Sequence, residues 1–77
     1  MDATLRNHIK VERARRNLTQ EQLAALAGVT RKTINTIETG RFIPSTTLAL
    51  KLAQVFGCRV EELFELDESR GQARATR

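Results

Sequence analysis

Few side chains in this sequence can do covalent or metal chemistry. There is one histidine, His8, and one cysteine, Cys58. They lie far apart in sequence and in no metal-ligand spacing. No nucleophile with its base, paired carboxylates or phosphate-cradling glycine loop can be assembled. The reading is therefore of a non-enzyme with no metal, no cofactor and no small-molecule ligand. A lone cysteine forms no internal disulfide, and an unpaired thiol suits a reducing compartment. What remains is charge. The net charge is +4, unevenly spread. Residues 1–41 carry eight Arg and Lys against four acids, and residues 42–68 carry Lys51 and Arg59 against five acids. Arg70, Arg74 and Arg77 close the chain. A basic front and an acidic back suggest one face for a polyanion and another turned away from it.

The elements that must position these charges are short helices. Seventy-seven residues make one domain with one modest core. Without disulfide or metal, helix packing, dimerisation or both must hold it. No signal peptide and no long apolar run stands out, so the expectation is a soluble, cytoplasmic protein outside any membrane. Asn17, Gly28, Gly40, Pro44 and Gly57 cut the chain into pieces rich in helix formers. No piece shows the sustained alternation of a strand. The expected class is all-α, with five helices over 4–16, 19–28, 30–39, 45–56 and 60–66. Leu5 and Ile9 would share the inner face of the first. Thr19 and Gln22 fit a capping box on the second. Thr30 and Ser45 suit the N-caps of the third and fourth. Ala49, Leu52, Ala53 and Phe56 form the fourth helix's inner stripe, and Leu63 and Phe64 pack from the fifth. Residues 1–68 would be the domain and 69–77 a disordered basic tail.

The informative stretch is 20–39, QEQLAALAGVTRKTINTIET. Two short helices meeting at a sharp turn make three separate demands, and all are met. Ala24 is small where the helices cross. Gly28 can take a positive φ in the turn. Leu23, Ala27, Val29, Ile34 and Ile37 supply apolar inner positions.

The run LTQEQLAALAGVTRKTINTIETGRFIPS resembles the helix-turn-helix of the lambda-repressor-like, or XRE, family, and LALKLAQVFGCRVEELFEL resembles its fourth and fifth helices. The likeness is greatest to short members with little beyond this domain. It implies a five-helix domain with the motif in helices two and three, and a transcriptional regulator, a repressor in the first instance, acting on double-stranded operator DNA. The third helix would enter the major groove. Arg31, Lys32, Asn35 and Thr36 would then meet base edges, with Arg and Lys suited to guanine and Asn to adenine. Thr19, Gln20, Thr30, Thr33, Thr39, Arg41, Phe42 and Ser45 would meet the DNA backbone, helped by amides at helix starts. A family Gln at position 20 also braces a base contact.

Further expectations concern support. Arg13 lies one turn beyond Ile9 and Glu38 one turn beyond Ile34, so the two should meet as an ion pair, as at these positions of the family. Where the family commonly has leucine this chain has Glu12, which needs a partner such as Arg16 at i+4. Cys58 replaces a small aliphatic residue and reads as a small hydrophobe. A homodimer through the C-terminal helix region is expected, with Val60 and Leu66 unable to both face inward. The alternative is an antitoxin or partner-binding module whose DNA binding is autoregulatory, using the acidic, apolar surface of residues 60–66.

Overall fold

The computed structural model describes residues 4–67. The order is β1 (Thr4–Asn7), α1 (Ile9–Arg15), α2 (Gln20–Ala27), α3 (Arg31–Glu38), α4 (Thr46–Phe56), α5 (Val60–Leu63) and β2 (Phe64–Asp67). The five expected helices are present. The all-α class needs correction, because β1 and β2 form a two-stranded antiparallel ribbon with Leu5 opposite Leu66 and Asn7 opposite Phe64. The first helix thus begins at Ile9, not at residue 4, and the fifth ends at Leu63, not at residue 66. The tail over 69–77 and residue 68 lie outside the described residues.

Local chemistry explains the late start of α1. The Asn7 side chain accepts a hydrogen bond from the Ile9 amide at 3.2 Å. Such a bond offers the backbone an alternative to continuing the helix. Upstream of it, the main chain finds partners across the ribbon, and the His8 amide donates to the Leu63 carbonyl at 2.9 Å. The two ends of the domain are thereby tied together.

The middle helices are set by their caps. The Thr19 hydroxyl accepts from the Gln22 amide at 3.0 Å, and the Gln22 side chain accepts from the Thr19 amide at 2.9 Å. Thr30 caps α3 through the Thr33 amide, and Ser45 caps α4 through the Leu48 amide. Gly28 ends α2 at φ +76°. A Cβ there would meet nothing within 4 Å, so the backbone angle alone is what favours glycine. Asn17, at φ 54°, turns the chain after α1.

The core is a single cluster. Ile9, Leu23, Ala24, Ala27, Ile34, Ile37, Leu52, Ala53, Phe56, Leu63 and Phe64 are buried, with Leu5, Leu18, Val29 and Leu48 packed against them. Every helix contributes, so the orientation of α3 is fixed by the whole domain. No polar or charged residue belongs to this cluster among the described residues. Glu12 escapes that cost at the rim. Its carboxylate takes a hydrogen bond from Arg16 at 2.6 Å and an ion pair from Arg15 at 3.3 Å. The Arg16 hydrogen bond holds the Glu12 carboxyl below the usual carboxylate range. Arg16 also donates to the Phe56 carbonyl and lies over the Phe56 ring, 5.0 Å from its centre. One arginine thus ties α1 to the end of α4.

Candidate nucleic-acid interface

Helix α3 has two unlike faces. Ile34 and Ile37 are buried against the core. Arg31, Lys32 and Asn35 are exposed on the other side. A helix so divided presents its polar row because its apolar row is held. Thr36 is half-buried and its hydroxyl donates to the Thr33 carbonyl at 2.9 Å. Thr33 is also half-buried, within 3.0 Å of the Thr30 hydroxyl. These two threonines therefore stand lower on the helix than the arginine, lysine and asparagine.

The loop after α3 folds back beside it. The amides of Arg41 and Phe42 both donate to the Thr36 carbonyl, at 2.9 and 3.1 Å. Lys32, Thr33, Thr36, Arg41 and Phe42 then line one shallow depression. Phe42 stays 48% exposed, so it is available for contact rather than used as core. Thr39 bonds back to the Asn35 carbonyl at 3.0 Å. Thr19, Thr30 and Ser45 are exposed at the starts of α2, α3 and α4. First-turn amides at such starts carry partial positive charge and attract phosphate.

Beneath this surface a polar chain links α1, α2 and α3. Arg13 binds Glu38 with two bonds, Nε to Oε2 at 2.8 Å and Nη2 to Oε1 at 3.2 Å. Its remaining Nη1 donates to the Leu18 carbonyl at 2.9 Å. The side chains are only 16% and 6% exposed. Gln20 joins from α2: its Nε2 donates to Glu38 Oε1 at 3.1 Å and to Asn35 Oδ1 at 3.2 Å. Arg31 Nη1 donates to Gln20 Oε1 at 3.0 Å. The structure thus places Gln20 directly against two of the outward residues of α3.

Sequence reasoning missed Asn7. Its Nδ2 donates to the Ile37 carbonyl at 3.1 Å, near the end of α3. The N-cap of α1 is His8, and Asn7, one residue before it, holds the Ile9 amide as an Asx turn, a local habit of asparagine that the sequence could have suggested. Its second task, on another helix, carried no signal. Cys58 is partly buried, and burial pushes its thiol pKa up, as for a small packed hydrophobe rather than a reactive thiol.

The helix-turn-helix family matches residues 9–63. The chain is 47% identical over 64 residues to an uncharacterised HTH-type transcriptional regulator of Archaeoglobus fulgidus, covering 83% of this chain and 90% of that protein. It is 42% identical over 64 residues to an uncharacterised HTH-type transcriptional regulator of Bacillus subtilis, covering 83% and 97%. The restriction-modification controller protein C.AhdI from Aeromonas hydrophila is similar in structure, with a TM-score of 0.68 and 31% identity, covering 71% of this chain and 83% of that one. By that family match and those relatives, the chain belongs to the XRE, or lambda-repressor-like, family of helix-turn-helix DNA-binding transcriptional regulators.

Proposed function

We propose that the chain is a sequence-specific regulator that uses α2 and α3 as its helix-turn-helix and lays α3 in the major groove of operator DNA. The observation that carries this reading is the exposed row Arg31, Lys32 and Asn35 on a helix whose opposite face is buried. Those three, with Thr36 at the base of the row, read base edges. Thr19, Gln20, Thr30, Thr33, Thr39, Arg41, Phe42 and Ser45 hold the DNA backbone through hydroxyls, amides and one guanidinium. Arg13 and Glu38 fix α3 and do not touch DNA. The action is repression in the cytoplasm, by occupying a site that transcription needs.

One such domain covers few base pairs, so two copies reading half-sites about 34 Å apart complete the operator. The second copy sits on the C-terminal side, where Leu66 is 61% exposed on β2 and Leu50 is 54% exposed on α4. The same exposed apolar residues are what favours the second reading, a partner-binding module. The experiment is a random-oligonucleotide selection with sedimentation equilibrium at micromolar protein. A palindromic site bound cooperatively by a dimer is the expected outcome. A strict monomer binding without cooperativity rules out the homodimer and favours the partner protein.

A further inference from the structure

We propose that Thr33, Thr36 and Phe42 form a seat for the 5-methyl group of a thymine, so that this side of α3 reads one base by apolar contact rather than by a hydrogen bond. The inference rests on the reading that α3 lies in the major groove. For Thr33 and Phe42 it replaces the backbone contact given above.

These three residues share one shallow depression with Lys32 and Arg41. Their polar groups are largely spent inside the protein. The Thr36 hydroxyl donates to the Thr33 carbonyl at 2.9 Å. The Thr33 hydroxyl stands 3.0 Å from that of Thr30, and the Thr33 amide donates to the same Thr30 oxygen at 3.2 Å. The Phe42 amide donates to the Thr36 carbonyl at 3.1 Å, beside that of Arg41 at 2.9 Å. Those two bonds hold the loop against α3 before any DNA arrives. What the depression has left to offer is mainly carbon: the threonine methyls and the half-exposed ring of Phe42.

The base follows from the chemistry of the groove. Thymine alone of the four bases carries a methyl group on its major-groove edge, next to the O4 acceptor. The methyl suits Thr33, Thr36 and Phe42, and O4 suits Lys32, which has donors only. Guanine offers acceptors to Lys32 and no methyl, and cytosine sets its amine against the ammonium. Adenine is the competing fit. Having given its proton, the Thr36 hydroxyl is left to accept, and it suits adenine N6 while Lys32 takes N7. That arrangement gives the Phe42 ring nothing to do, whereas thymine uses every side of the depression. The same methyl occurs on 5-methylcytosine, but there an amine replaces O4 and faces Lys32.

The test removes single groups from DNA and protein. An operator is selected from random oligonucleotides with the full chain, and its thymines are replaced one at a time by deoxyuridine, which lacks only the methyl. One position should weaken by about fourfold, the worth of one buried methyl. The same ratio is then read with Thr36→Val, which keeps a methyl and drops the hydroxyl, with Thr36→Ser, which does the reverse, and with Phe42→Ala. Each variant is checked for folding by circular dichroism. The ratio of thymine to uracil binding should persist in Thr36→Val and fall toward one in Thr36→Ser and Phe42→Ala. 5-Methylcytosine at that position, paired with guanine, should bind tighter than cytosine and less tightly than thymine; binding at or above thymine would assign the seat to methylated DNA instead. A ratio lost in Thr36→Val and kept in Thr36→Ser gives the role to the hydroxyl, and the absence of any deoxyuridine effect removes the seat altogether. Either result overturns the proposal, and leaves the α3 reading intact if Arg31→Ala still relaxes the preference at one position. If Arg31→Ala and the Thr36 variants alter no base preference at all, the major-groove reading itself has failed.

Discussion

Replacing Arg13 by Met tests what holds the polar chain together. Methionine keeps an apolar stem of similar reach and removes the charge. Glu38 would then stand 6% exposed with Gln20 as its remaining side-chain donor, and the Leu18 carbonyl would lose a partner. Breaking a fully buried pair costs about 3–5 kcal/mol, whereas exposed pairs are worth about 0–1 kcal/mol. The exposures of 16% and 6% place this pair close to the buried limit. Gln20 still stabilises the carboxylate, so about 3 kcal/mol is expected. For a domain of this size that lowers Tm by roughly 12–24 °C. Thermal and urea unfolding followed by circular dichroism at neutral pH measure it. Arg13→Met with Glu38→Met removes both charges and should recover most of the loss, because the desolvation cost goes with the pair. A single-variant cost under about 1 kcal/mol, or a double variant equal to the sum of the singles, would refute the reasoning.

Arg31→Ala should lose about 1–3 kcal/mol of operator affinity and relax preference at one position, read by binding to operator variants; a uniform loss on all sequences would assign Arg31 to phosphate. Gly28→Ala should cost about 1–2 kcal/mol, since φ is +76° and no atom lies in the way of the added methyl; a neutral result in urea unfolding would show that the turn relaxes. Glu12 has a lowered pKa in the fold, first from the Arg16 hydrogen bond. A depressed carboxyl adds stability above the unfolded value that disappears as pH falls through the folded value. The stability gap between wild type and Glu12→Gln, from urea midpoints, should therefore be constant near neutrality and shrink in acid; a gap independent of pH down to the acid limb would contradict the assigned role.

Much of the fold is legible because its signals are local. The Thr19–Gln22 box, the Thr30 and Ser45 caps and the glycines at 28 and 57 each act within a few residues of their own backbone. The ribbon is not legible for the opposite reason. TLRN and FELD are too short to show alternation and contain little that favours a strand. Each becomes a strand because the other lies beside it, and that depends on the whole domain having folded. Glu12 shows a milder form of the same problem. Its helical position suggested the inner face, but Arg15 and Arg16 hold its carboxylate at the rim. In the candidate site, the spacing of Ile34 and Ile37 is enough to tell that Arg31, Lys32 and Asn35 face outward, whereas Thr36, expected beside them, is half-buried. The bonds of Gln20 to three side chains cannot be read that way, because they depend on the approach of α2 to α3.

The Arg13–Glu38 pair makes poor sense as a device for stability alone. Apolar residues of similar volume usually fill such a position equally well or better. What they lack is direction. Glu38 lies between α1 and α2 at the end of α3, and its oxygens accept from Arg13 and Gln20 together. An apolar pair would leave the Gln20 amide free to turn, and Asn35 with it. The carboxylate removes that freedom before any DNA arrives. On the proposed reading of α3 as the recognition helix, affinity would depend on how firmly the pair holds α3, and base choice on how Gln20 is set against Arg31 and Asn35. The two can be separated. Loss of Arg13 should weaken binding to all operators alike as long as Glu38 still accepts from Gln20. Loss of Gln20 should leave the helix in place and free the Asn35 amide to turn.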